Sequence, residues 1–122
     1  LTGQIKSLDD IPDGDLRKAM PRFQPDAFPA NMELVREVQK LASKKGCTPA
    51  QLAISWVKSQ SRKNGNPEII PIPGATTVDR VEENSKDVLL SDGDLGEINA
   101  ILSNFEVIGD RYGGHGAVLM NG

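Results

Sequence analysis

The residue pattern predicts an α/β arrangement in which one short buried strand lies among amphipathic helices. Three observations carry this expectation. The apolar run EIIPI at 68–72 is bounded by turn residues and is too short for a helix. Segments on both sides of it repeat apolar residues at helical spacing behind recognisable caps. No second convincing strand is present, although a buried strand needs neighbours for its backbone N–H and C=O groups. The expected order is loop, helix, helix, strand, helix, helix, tail, with the remaining sheet outside these 122 residues.

Residues 1–30 contain Pro12, Pro21, Pro25 and Pro29 together with Gly3 and Gly14, and no apolar periodicity. They read as a long loop with one helical turn around Leu16–Ala19. Loops of this length are uncommon unless functional or disordered, so the segment is either a loose end or an ordered loop over a ligand. Asn31 is the expected cap of the first helix, where Leu34, Val35, Val38, Leu41 and Ala42 share one face. Glu33 and Glu37 lie early and Lys40, Lys44 and Lys45 late, as the helix dipole favours. Gly46 supplies the left-handed stop.

Thr48-Pro49-Ala50-Gln51 is a capping box with proline at the first helical position. Leu52, Ala53, Trp56 and Val57 form the buried stripe of this second helix, and the polar run at 59–66 ends it. Trp56 reads as core rather than a ligand-stacking ring. Cys47, at the helix–helix junction, reads as a packing residue. Pro71 is awkward in a central strand, so the strand is expected to stop near Ile72. Thr77 caps the next helix, with Val78 and Val81 expected inward. Ser91 and Asp94 begin the last helix, which Leu95, Ile98, Ala100, Ile101 and Leu102 carry to about Asn104. The segment 106–122 is expected to be irregular.

Composition bounds the function. One domain at most fits the length, with 25% charged and 38% hydrophobic residues. The net charge of −3 points to neither nucleic acid nor an anionic membrane, and no apolar run approaches the roughly 18 residues of a membrane span. A single cysteine excludes an internal disulfide and fits a reducing compartment, so a cytoplasmic location is expected. One histidine and one cysteine far apart offer no metal site. The opening LTGQIKSLDD lacks the features of a signal peptide and reads as the middle of a longer chain.

The unit at 69–84, IIPIPGATTVDRVEEN, carries the chemistry. Gly74 and Ala75 let a ligand approach the backbone, and Thr76 and Thr77 add hydroxyl donors. The helix start presents unpaired N–H groups and a partial positive charge. Arg80, three residues on, can add a bidentate fork. Glu83 can take an exocyclic amine or ribose hydroxyl, and Asn84 can pair with a base edge. These features suit a phosphate-like anion. They equally suit a capped helix with a solvent-facing Arg–Glu pair.

The same residues resemble the NADP-binding signature of aldo-keto reductases, in which Pro73, Arg80, Glu83 and Asn84 occupy the positions Pro-x6-Arg-x2-Glu-Asn. The run KKGCTPAQLAISWVKSQ resembles the family's seventh-helix segment, and LTGQI and PRFQPDAF resemble loops preceding it. The order is the family's, and the likeness covers nearly all of residues 1–122. Within the family the chain looks most like the fungal pyridoxal reductases (pyridoxine 4-dehydrogenases), departing from their Arg-Tyr-Pro tail at Gly113.

The resemblance implies that residues 1–122 are the C-terminal portion of a single (β/α)8 TIM barrel domain. It implies an NADP-dependent reductase that converts a small carbonyl substrate, an aldehyde such as pyridoxal, to its alcohol. Arg80 would contact the 2′-phosphate, Thr76 and the Gly74–Ala75 backbone would lie beside it, Ile72 and Pro73 would lead into the loop, and Glu83 and Asn84 would hold the adenine. Many relatives carry Lys-Ser where Gly74-Ala75 stands, so NADP preference rests mainly on Arg80. Tyr112 and His115 would reach the substrate or lie exposed on the tail. The family's catalytic Asp, Tyr, Lys and His match nothing here, so no catalytic residue is assigned. The expected partner is the missing N-terminal part of the barrel, or self-association. The alternative is a noncatalytic, truncated relative that binds a nucleotide or a partner without turnover.

Overall fold

The computed structural model describes residues 3–113, and their regular structure is helical. Three short 3-10 turns, Leu8–Asp10, Leu16–Ala19 and Pro21–Phe23, break up the first segment. Four α-helices follow: α1 (Phe28–Lys45), α2 (Pro49–Ser59), α3 (Val78–Ser85) and α4 (Asp92–Asn104). The helical turn expected at Leu16–Ala19 is present, and Asp15 caps it by accepting from the Arg17 N–H.

Helix α1 begins three residues before its expected cap. Phe28 and Pro29 already lie in its first turn, and proline tolerates that position because its missing N–H would have no helical acceptor. Asn31 is therefore inside the helix. Its side chain binds Ile108 twice: Nδ2 donates to the Ile108 carbonyl at 2.8 Å, and Oδ1 accepts from the Ile108 N–H at 2.9 Å. The helix ends as expected at Gly46, with φ +70°. The Cys47 N–H then reaches back to the Ala42 carbonyl at 3.0 Å, and the chain reverses directly into α2. Thr48 and Gln51 cap each other's backbone at 3.2 and 3.1 Å.

The main core lies where α1, α2 and α4 meet. Leu41, Ala42, Leu52 and Ile98 are buried there, with Val38, Cys47, Trp56, Leu90 and Ile101 packed around them. Trp56 thus belongs to the core, and its indole N–H is buried without an acceptor among the described residues. Two lysines at the end of α1 fasten it to α4: Lys44 to Glu97 and Lys45 to Asp94, both at 2.6 Å. Asp94 also accepts from the Ser91 N–H at 2.8 Å, so one carboxylate caps α4 and anchors it. A smaller cluster forms under the first segment, where Ile11, Ala27 and Phe28 are buried and the Phe23 and Phe28 rings lie 6.3 Å apart. Ile11 is the most deeply buried large side chain, in a segment whose sequence shows no periodic pattern.

Two expectations are corrected. Residues 68–72 form no ladder, and the described residues contain no strand, so the sheet part of the α/β expectation is not present in them. Ile70 and Ile72 are 77% and 91% exposed. The physical reason is the one that raised the question of a sheet: no neighbouring strand within the described residues receives their backbone groups. Only the Ile69 N–H finds a side-chain acceptor, the Ser61 hydroxyl at 2.8 Å. Second, Val78 and Val81 do not point inward and are 73% and 57% exposed. Helix α3 turns its Arg80–Glu83–Asn84 side toward α2, where Gln51 Nε2 donates to the Glu83 carbonyl at 3.1 Å.

Two predictions follow from the core. Leu52→Ala removes a side chain that is 97% buried and costs about 2–5 kcal/mol of unfolding free energy in urea titrations, as for other buried leucines. Second, the hydrogen bonds from Lys45 and Ser91 hold the Asp94 carboxyl well below the usual carboxylate range. A depressed folded-state value stabilises above the unfolded value near pH 4, and this contribution disappears as pH falls below it. Urea midpoints measured between about pH 5 and 2 therefore decline less steeply in Asp94→Asn than in the parent.

Candidate functional site

The loop after residue 72 and the start of α3 are shaped by two local interactions. Thr77 has extended backbone angles and its Oγ accepts from the Arg80 N–H at 3.3 Å, which starts the helix. Asn84 Nδ2 lies 3.4 Å from the Gly74 carbonyl and ties the loop to the helix one turn further on. The helix start leaves the N–H groups of Val78 and Asp79 without intrahelical acceptors. Asp79 supplies a negative charge in the same turn, so Arg80 is the group there that attracts an anion by its formal charge.

These elements enclose an open concavity of about 370 Å³. Pro73, Gly74, Ala75, Thr76, Arg80 and Asn84 line it, which brings together six of the eight residues singled out from the sequence. The other two stand apart from its wall. Ile72 projects into solvent, and Glu83 forms an ion pair with Arg80, Oε2 to Nη1 at 3.0 Å. Both side chains of that pair are partly covered, at 29% and 23% exposure. The plainer alternative, an Arg–Glu pair on a capped helix, is thus what the side chains form here. It leaves Arg80 Nε and Nη2 without a partner among the described hydrogen bonds. Above Gly74 the space is open, and a Cβ built there would meet nothing within 4 Å.

The opposite wall was missed by sequence reasoning. It consists of Gln4 from the first segment and Ala50, Ala53 and Ile54 from α2. A usable signal was present: Ala50 and Ala53 are small residues one turn apart, which leaves room beside a helix. Gln4 carries no local signal, because it arrives from a segment about 70 residues away in the chain.

The remaining candidates are placed plainly. Burial pushes the Cys47 thiol up, as expected for a packing cysteine rather than a reactive one. Tyr112 is half-buried, with the Arg111 guanidinium 5.4 Å from its ring centroid, and lies away from the concavity. His115 lies outside the described residues. Among the described residues no cluster of His, Cys, Asp or Glu could hold a metal ion, and no helix is long and apolar enough to cross a membrane.

Comparison with known proteins identifies the family. Residues 1–103 match the profile of the aldo/keto reductase family. The chain is 43% identical over 114 residues to "Aldo-keto reductase yakc [NADP(+)]" of Schizosaccharomyces pombe, covering 92% of this chain and 32% of that protein. It is 38% identical over 121 residues to a Saccharomyces cerevisiae protein named "Putative pyridoxal reductase", covering 92% of this chain and 35% of the relative. It is 32% identical over 123 residues to "Aldo-keto reductase str7" of Strobilurus tenacellus, covering 99% and 35%. No solved structure matches. The chain spans about a third of the length of these relatives. A family profile that covers most of the described residues, with relatives matching across the same span, places the chain: it belongs to the aldo/keto reductase family.

Proposed function

We propose that this chain holds the adenosine-phosphate end of NADP in a reductase that converts an aldehyde, such as pyridoxal, to its alcohol. The observation that carries the reading is the gathering of Pro73, Gly74, Ala75, Thr76, Arg80 and Asn84 around one concavity at the start of α3. The donor set suits a phosphate ester on a ribose: a guanidinium, a hydroxyl, a carboxamide and backbone N–H groups at a helix start. The open space above Gly74 admits a ligand against the backbone. The name of the fission yeast relative includes NADP(+), which supports the same choice of cofactor.

In this reading Arg80 turns its free edge, Nε and Nη2, toward the 2′-phosphate. Its pairing with Glu83 holds the guanidinium plane in place, and a phosphate competes with that carboxylate for the fork. Glu83, once released, accepts from the exocyclic amine of adenine or from a ribose hydroxyl. Asn84 meets the base edge, and the Thr76 hydroxyl and the backbone at 74 and 75 donate beside the phosphate. The cofactor supplies hydride, and this chain's residues bind and orient its far end.

The exposed apolar residues support a larger protein around this site. Ile70, Ile72 and Leu89 are 77%, 91% and 89% exposed. In a barrel about three times this length they would meet neighbouring strands and helices, and in the chain alone they favour self-association.

Two measurements test the reading. Calorimetric titration with 2′,5′-ADP and 5′-AMP is expected to show a preference for the first. Arg80→Met weakens 2′,5′-ADP binding by about tenfold or more, the scale of one charge-assisted hydrogen bond, and leaves 5′-AMP nearly unchanged. Equal losses for both ligands would remove the 2′-phosphate role. Separately, the 122-residue chain does not oxidise NADPH in the presence of pyridoxal, because it contains no match to the family's proton donor. Steady loss of NADPH absorbance above a no-protein control would overturn that assignment.

A further inference from the structure

The segment at 68–74 has two unlike edges. Ile70 precedes Pro71 and Ile72 precedes Pro73; a residue before proline is pushed to extended backbone, and proline fixes its own φ. Exposure alternates as an extended chain requires: Ile69 and Pro71 are partly covered, whereas Ile70 and Ile72 stand out in solvent. In extended backbone the N–H groups of 69, 71 and 73 belong to one edge and those of 70 and 72 to the other. The first edge has no free N–H. The Ser61 hydroxyl takes that of Ile69 at 2.8 Å, and the two prolines have none. The second edge keeps the N–H and C=O of both Ile70 and Ile72, and none of these has a partner among the described hydrogen bonds. We propose that this edge pairs with the same edge of a second copy of the chain, antiparallel about a twofold axis at Pro71.

A second copy is favoured as the occupant because the run is its own complement. Ile70-Pro71-Ile72 reads the same in both directions, so a twofold axis sets the segment against itself without mismatch. Each Pro71 then lies opposite its counterpart, and Ile70 of one copy lies opposite Ile72 of the other. Opposed residues in an antiparallel pair alternate between hydrogen-bonded and non-bonded places. The prolines take the non-bonded place, where a missing N–H costs nothing. Each Ile70–Ile72 pair takes the bonded place and exchanges both backbone bonds. The isoleucine side chains of both copies meet on one face and cover one another. The same register sets Glu68 opposite Gly74, so no like charges are brought together.

The closed edge limits the assembly. A strand with two open edges templates further chains, but Pro71 and Pro73 leave no donor on the far side, so pairing stops at two copies. The contact is short, so the dimer forms at high chain concentration and dissociates on dilution. Arg62 and Glu68, paired at 2.8 Å, flank it with charge. None of Ile70, Pro71 and Ile72 lines the concavity at Gly74 and Arg80, so this proposal stands independently of the nucleotide reading.

The test is sedimentation of the full chain over a wide concentration range, with amide hydrogen exchange read by NMR at each concentration. The mass is expected to rise from one chain toward two and no further, and the Ile70 and Ile72 amides gain protection in step. In a mixture of isotope-labelled and unlabelled chains, the Pro71 Hα shows a contact with its counterpart, because non-bonded pairs hold their Cα atoms about 4.5 Å apart. Ile70→Pro removes one N–H from each copy and weakens dimerisation about tenfold or more. Its helical circular dichroism matches the parent, since Ile70 is exposed. Leu89→Lys, which changes another exposed apolar residue, leaves the dimer unaltered. A chain that stays single at every concentration, or a mass that climbs past two copies, would overturn the proposal. So would amide protection that ignores concentration, which means that the chain's own residues cover the edge. A dimer lost in Leu89→Lys but kept in Ile70→Pro would overturn it as well.

Discussion

Leu52 and Ser55 lie one turn apart on α2, and both are buried, at 3% and 6% exposure. Leu52 enters the apolar core between α1 and α4. Ser55 lies beside it at the edge of the same side, and its hydroxyl accepts the Val88 N–H at 3.1 Å. Together with Gln51, which holds the Glu83 carbonyl, Ser55 fixes both ends of the segment that follows the concavity. Helix α2 therefore has two separate packing duties. Its apolar stripe is locked by hydrophobic contact, and its polar edge positions α3 by directional bonds. The core seats α2, and these bonds seat α3 on α2, so together they place Ala50, Ala53 and Ile54 opposite the loop at 73–76.

Local signals were read correctly because they are local. Gly46, the Thr48–Gln51 box, the Thr77 cap and the Ser91–Asp94 cap are each decided within four residues, and all are found in place. The readings that failed depended on something farther away. Val78 and Val81 have helical spacing, but which side of α3 faces inward is decided by Gln51, in another helix. Asn31 has the chemistry of a cap and was displaced from that role by Ile108, 77 residues away. The run at 68–72 has strand composition, but a strand exists only through its partners, and composition does not supply them.

The candidate site shows the same division. The loop and helix start were legible because a Pro-Gly turn followed by a threonine cap is compact in sequence. Gln4 and the small residues of α2 were not, since a wall made by distant chain segments leaves no spacing to detect. The Arg80–Glu83 pair adds a point that neither motif nor fold displays alone. The Glu83 carboxylate offsets the Arg80 charge locally, so any anion drawn to this loop would compete with Glu83 for the guanidinium.

The side-chain amide of Asn31 has a further consequence. It offers one acceptor and one donor to the N–H and C=O of a single residue, as the edge of a neighbouring strand would. It is a peptide group carried on a helix. Aspartate at this position would face the Ile108 carbonyl with like charge, and glutamine would place the same amide one methylene too far out. The clasp closes a chain loop of 77 residues with two solvent-exposed hydrogen bonds and no buried apolar side chain of its own. Most of the loop-closure cost is already met by the packing of the helices in between, so the clasp adds local order at little further cost. The clasp thus holds residues 107–109 against the start of α1 without any share in the main apolar core.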